Sequence, residues 1–168
     1  FFESDEVQDG VALLRFLADP QSNLRAAALL RSRLIRLSDA AVAALAPELA
    51  SALIAAETPA ARALLSADDG MVLDAVRAAV PRWLSLVDRL APSELLSQVL
   101  AETAHGYELR GVRYRQAREN LKKLRAMVRR YQNRGYATLA RVAEHIERLA
   151  VGDESNAAID AHDAVSLM

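Results

Sequence analysis

Residues 111–135, GVRYRQARENLKKLRAMVRRYQNRG, constrain the backbone more than any other stretch of this chain. Ala117, Leu121, Leu124, Val128 and Tyr131 recur at spacings of four, three, four and three. That is the period of one face of an α-helix, here about six turns long. Arg115, Arg118, Lys122, Arg125 and Arg129 form a second stripe about a quarter turn away. At roughly 100° per residue, each stripe covers about 80° of the helix surface. Such a helix can lay one edge on a core only by showing five cations to solvent along the neighbouring edge.

The charge of this segment sets it apart from the rest. Between Gly106 and Gly135 there are ten Lys or Arg against two Glu, a net of +8; the whole chain is −1, so the remainder sums to −9. Arg110, Arg113, Lys123 and Arg130 extend the basic segment beyond the stripe itself. A concentration of this kind fits a surface for a polyanion. It also fits a plain solvated helix face, since Arg and Lys are good helix formers. Of the 21 basic residues 19 are Arg, and Ala occurs 34 times, a bias that a GC-rich coding sequence would also produce. Both readings stand at this point.

Few aromatics (5%) and many Ala, Leu, Arg and Glu favour helices over strands. We expect an all-α fold: a single irregular domain of about seven to nine helices over 1–152, then a polar linker and the start of a strand over 153–168. The chain has no cysteine, hence no disulfide framework, thiolate nucleophile or cysteine-held zinc. With no run of about 18 apolar residues and no signal-peptide layout, a soluble, cytoplasmic protein without membrane contact is expected. The opening on Phe1 and the uncapped apolar end Val165–Met168 suggest a piece of something longer.

Helix signals follow one another along the chain. Ser4 and the acids behind it open a first helix with Val7, Val11, Leu14 and Ala18 inward, which Asp19-Pro20 ends. Ser22 or Asn23 starts a second through Leu30, and Ser38 or Asp39 a third, which Pro47 should break or kink. Thr58-Pro59 opens a short helix. Asp68-Asp69-Gly70 reads as a turn. Beyond it Val72, Val76, Ala79, Trp83, Leu86 and Leu90 keep helical register across Pro81, so a kinked helix with Trp83 in the core is expected. Pro92 opens a helix burying Leu95, Leu96, Val99 and Leu100. Gly106 and Gly111 flank a loop, Gly135 caps the basic helix, and Thr138 starts a last helix that Gly152 ends, with Leu139, Val142, Ile146 and Leu149 inside.

Catalytic signatures are missing. None of the six glycines precedes Lys-Ser or Lys-Thr, so there is no phosphate loop. His145 lacks the second histidine of a helical zinc site, and Asp160, His162 and Asp163 are a weak metal clasp in a polar stretch. Glu3, Asp5, Glu6 and Asp9 gather where carboxylates favour a helix dipole. No nucleophile–base pair is readable, and the chain by itself is expected to be inactive.

The two ends carry a resemblance. Phe1-Phe-Glu-Ser-Asp-Glu-Val-Gln-Asp9, followed by Leu-Leu-Arg-Phe-Leu-Ala-Asp-Pro20, resembles the FFE-x-x-E-[IV]-x-D…L-R…[ND]-P segment of UvrD/Rep-type superfamily 1 DNA helicases. Asp163-Ala-Val-Ser-Leu-Met168 is similar to the strand leading into their T-[VI]-H-x-x-K-G-L-E-F motif. Ser93-Glu-Leu-Leu-Ser97, Tyr107-Glu-Leu-Arg110 and Ala117-Arg-Glu-Asn-Leu-Lys-Lys-Leu124 are similar to the AddA/RecB branch of helicase–nucleases. The resemblance implies a 2B subdomain, an all-helical insertion into a motor domain, whose ends near 1 and 165 lie close together. It implies duplex or forked DNA, sibling domains and a nuclease-complex subunit as partners, with ATP and Mg held by the parent and no cofactor here.

In one place the sequence departs from that pattern. UvrD-like members carry an Arg-Gly-Ile-Gly turn whose amides grip duplex phosphate, and the matching Arg36-Leu-Ser-Asp39 has neither glycine. Contact would then fall to side chains: Arg31, Arg33 and Arg36, and the basic helix from Arg110 to Arg130. The rival reading is a protein-docking or autoinhibitory module without direct DNA contact.

Overall fold

A computed structural model describes the backbone of residues 1–103 and 112–166, and the side chains of 1–103 and 113–152. The described residues form eight α-helices and one 3-10 turn, with no strand among them. The helices are α1 (Asp5–Ala18), α2 (Asn23–Arg31), α3 (Asp39–Leu45), α4 (Leu49–Ile54), α5 (Ala67–Leu86), α6 (Pro92–Glu102), α7 (Val112–Gln132) and α8 (Leu139–Ser166). The 3-10 turn, Ala60–Leu64, precedes α5. Gly106, Arg110, Gly111 and the last two residues lie outside this range, as do the side chains of Asp160, His162 and Asp163.

α1 is the central helix. Val7, Val11, Leu13, Leu14, Phe16 and Leu17 are all buried, so it is apolar nearly all round and is packed by α2, α6, α7 and α8. The expected stripe of Val7, Val11 and Leu14 is there, but it is only one side of a helix that is enclosed on several. Gly10 marks the closest approach: a Cβ built on it would lie 2.6 Å from Leu124 Cδ2 of α7. Only glycine lets the two helices meet at that point without displacing a fully buried leucine.

Helix starts follow local chemistry. The Ser22, Ser38 and Thr138 side chains accept from the amides of Arg25 (3.3 Å), Ala41 (3.1 Å) and Arg141 (3.4 Å), satisfying donors that a helix start leaves open. The Ala46–Pro47 peptide, which is cis, separates α3 from α4. Asn23 Oδ1 accepts from Ala50 N (2.9 Å) at the start of α4. The far end of α4 is closed from a distance: Arg77 of α5 donates to the carbonyls of Ala52, Ala55 and Glu57.

Several expectations are corrected. Asp68-Asp69-Gly70 is the first turn of α5, because Ser66 caps it (Asp69 N to Ser66 Oγ, 3.1 Å) and the two acids suit the positive helix end. Gly70 lies inside the helix, where the Arg62 guanidinium crosses it, 2.5 Å from where a Cβ would be, and pairs with Asp74 (2.8 Å). α5 runs through Pro81 as expected, but its buried stripe is Leu73, Val76, Val80 and Trp83, about one residue round from the one expected. Trp83 is in the core, its Nε1 donating to Glu102 Oε2 (2.8 Å). α5 ends at Leu86, where Val87 and the positive φ of Asp88 (66°) turn the chain.

The last helix does not end at Gly152. α8 continues to Ser166, so the linker and the strand expected over 153–166 are helix. A glycine inside a helix costs about 1 kcal/mol, and 153–166 has four alanines and no proline to stop propagation. Leu139, Val142 and Ile146 are buried as expected, whereas Leu149 is exposed. Among the described residues no helix is long and apolar enough to cross a membrane.

Candidate nucleic-acid interface

α7 is fastened through its apolar edge. Ala117, Leu124 and Val128 are buried, and Leu121 and Tyr131 half-buried, against α1, α6 and α8. Polar contacts hold the same side. Asn120 Nδ2 donates to Glu6 Oε1 (2.6 Å) and Ser4 Oγ (3.2 Å) at the start of α1. Near the other end Tyr131 stacks on His145 of α8, ring centroids 4.1 Å apart. Burial, followed by the charges of Arg148 and Arg134, pushes that imidazole below its usual range, so it is neutral near pH 7 and adds no cation to the surface.

Rotation of α7 is therefore set, and the basic stripe is left facing out. Arg115, Arg118, Lys122, Arg125 and Arg129 are all exposed. Lys122 pairs with Glu119 (2.6 Å). The four arginines of the stripe have no acidic partner among the described residues. From Arg115 to Arg129 the row runs about 21 Å at 1.5 Å per residue. Like charges three and four residues apart repel by a few tenths of a kcal/mol per pair. A polyanion laid along the row relieves that repulsion.

Other expected cations are placed differently. Arg113 is exposed but precedes the packed part of α7, in the angular sector of the apolar edge. Lys123 and Arg130 lie on the far flank of the basic stripe, and the Lys123 ammonium sits 4.4 Å from the Phe1 ring centroid. Arg31, Arg33 and Arg36 are in and after the last turn of α2, a separate site. Arg31 pairs with Asp39 (2.8 Å) and Arg33 with Asp5, so their charge is met locally.

The turn at Arg36–Asp39 is also occupied. Arg36 takes the left-handed conformation (φ 64°). Leu37 N donates to Leu30 O (2.9 Å), and Ser38 N and Oγ donate to the Asp69 carboxylate (3.1 and 2.7 Å). The Ser38 hydroxyl and then its amide hold Asp69 below the usual carboxylate range, so it is ionised here. With Leu37 N and Ser38 N used and Asp69 and Asp39 beside them, the turn offers phosphate little.

One buried acid was not legible. Asp9, whose carboxylate was expected simply to favour the helix dipole, is buried beside this turn. Its Oδ1 accepts from Arg33 N (3.3 Å) and its Oδ2 has no partner. Burial pushes its carboxyl up to about 6. Its position in an acid-rich helix start gives no sign of this, since the one donor it meets, Arg33 N, is 24 positions along the chain. No group of three or more metal-ligating side chains occurs among the described residues. The chain matches no protein-family model and no curated protein sequence.

Proposed function

We propose that α7 is a sequence-independent contact for the backbone of duplex DNA. The observation that carries this reading is the open stripe from Arg115 to Arg129, whose arginines have no ion-pair partner among the described residues. Arg side chains in a solvent-facing row suit phosphate, whose contacts position a duplex without reading its sequence. The resemblance of the two ends supports the wider reading: an accessory 2B-like subdomain of an ATP-dependent helicase of the AddA/RecB kind, in double-strand break repair. On that reading ATP hydrolysis belongs to the parent's motor domains, and this chain holds or steers the duplex while they move.

Fluorescence anisotropy of the chain with a labelled hairpin duplex tests the contact. Five phosphate contacts predict a slope of log K against log salt of about −4.5. Changing Arg115, Lys122 and Arg129 to Glu should abolish most binding and flatten that slope. Binding unchanged by the reversal would move the contact elsewhere on the molecule. Absence of binding even at low salt would favour an acidic protein partner for the stripe.

A further inference from the structure

Two corners of the chain meet in one place. One joins α5 to α6, where Asp88 is held at φ 66°, and the other joins α7 to α8, where Gly135 takes φ 156°. Both corners line a pocket of about 380 Å³, with buried Leu95 and Leu139 on its apolar side. The basic stripe leads to it. Asn133 stands one turn beyond Arg129, its N donating to Arg129 O (3.1 Å). Gln132 and Asn133 line both this pocket and the polar groove between α6 and α7 that Arg125 and Arg129 border.

Tyr136 belongs to the lining of this pocket and is 90% exposed, more than any other large apolar or aromatic side chain among the described residues. The glycine before it sets that position. Side-chain-bearing residues rarely adopt φ 156°, and a Cβ at Gly135 would meet nothing within 4 Å, so glycine serves the turn there rather than the packing. A bare aromatic ring beside a concavity is a platform for stacking. The polar lining carries both signs and both halves of a hydrogen bond. Asp88 brings a carboxylate, Arg89 a guanidinium and Asn133 an amide, and none of these side chains is paired among the described residues. Gln132 spends its carbonyl on Ser93 N (3.0 Å) and keeps its NH₂, while Thr138 Oγ1 is used in capping α8. A phosphate presents acceptors only, and Asp88 would repel it. A nucleobase presents donors and acceptors along one edge and a π face on each side, which a carboxylate, amides and a ring can all meet.

We propose that this pocket takes one unstacked nucleobase, its face on Tyr136 and its edge on Asp88 and Asn133, from a single strand that continues a duplex held on the stripe. The source of the strand rests on the duplex reading of α7; the chemistry of the pocket is independent of it. Arg89 supplies a cation for the phosphate of the same nucleotide. Every base has a π face, so stacking adds affinity with little sequence preference. The Asp88 carboxylate adds a bias toward bases with an amino donor, cytosine over thymine.

The test compares, by anisotropy with the full chain, a blunt hairpin duplex and the same hairpin with a short deoxycytidine tail. An amide NMR titration with a short oligodeoxycytidine strand runs beside it. The tail should tighten binding about tenfold, the size of one base stacked on an aromatic side chain. An abasic tail should give none of that gain. Tyr136→Ala should remove the gain and leave blunt-duplex affinity and Tm unchanged, since a side chain this exposed carries little packing. Tyr136→Phe should keep it, and Asp88→Ala should abolish the preference for a deoxycytidine over a thymidine tail. The free oligonucleotide should give saturable shifts at Asn133, Gly135 and Tyr136. Equal affinity for blunt and tailed hairpins overturns this proposal and leaves the duplex reading intact. A gain that survives the abasic tail or Tyr136→Ala also overturns it, because the tail's phosphates then supply the gain. If neither hairpin binds, saturable oligodeoxycytidine shifts that Tyr136→Ala removes uphold the base site and overturn the duplex reading; without such shifts both fall.

Discussion

The cations of α7 and those of the turn after α2 meet opposite surroundings. Arg31 and Arg33 each find an aspartate, Asp39 and Asp5, and those aspartates sit in the first turns of α3 and α1. Helix starts attract carboxylates because the dipole is positive there, so a basic turn lodged between two helix starts is neutralised by its neighbours. The middle of a long helix has no such supply. Along α7 the one acid among the described residues is Glu119, and it meets only Lys122. How available a cation is depends on what kind of backbone lies beside it more than on how many cations sit together.

That contrast can be broken from the packing side first. Leu124 is fully buried and pins α7 against α1, so Leu124→Ala should cost about 2–5 kcal/mol, read as a fall of roughly 5–15 °C in Tm. Below that Tm the duplex affinity should be kept, since the stripe is untouched. Reversing Arg115, Lys122 and Arg129 to Glu should do the converse, lowering duplex affinity by about two orders of magnitude at low salt while moving Tm little.

The neutralised turn gives two smaller effects. Asp9 carries a carboxyl raised from 3.8 to about 6, so the folded chain keeps a proton that the unfolded chain releases across that window. Stability should therefore fall as pH rises from about 4 to 6, by on the order of 1–2 kcal/mol, and level off above. Asp9→Asn should remove that slope, as urea unfolding at several pH values would show. The lowered carboxyls of Asp69, Asp74 and Glu102 act the other way and only at lower pH, where their stabilisation is lost on protonation. Smallest of all, Arg31→Gln with Arg33→Gln should change duplex affinity less than about threefold and stability by about 0.5 kcal/mol, because both pairs are largely solvated. A large loss of affinity there would overturn the contrast itself.

Much of the helical plan was open to reading. Ser22, Ser38 and Thr138 cap because a short side chain with an acceptor oxygen satisfies an amide two or three residues on, and Pro47 breaks a helix because it has no donor. Glycine was the poorer guide. Gly70 and Gly152 look like stops yet lie inside helices, one crossed by the Arg62 side chain and the other in a run that nothing else interrupts. A glycine only weakens a helix, and neighbouring residues decide whether that is enough.

The sequence by itself determined the class of the fold and the face that α7 turns outward, because a stripe at helical period leaves a single rotation that buries its apolar edge. Tertiary structure decided which cations have a partner and that Asp9 is enclosed beside the turn. It also decided that two serines, three side-chain amides, Glu94 and two arginines share the groove between α6 and α7. Several of those outcomes depend on contacts between residues from about 24 to 40 positions apart, such as Asp9 with Arg33 and Ser93 with Gln132. Local periodicity carries no information about pairs at that distance; only the packing of whole helices brings them together.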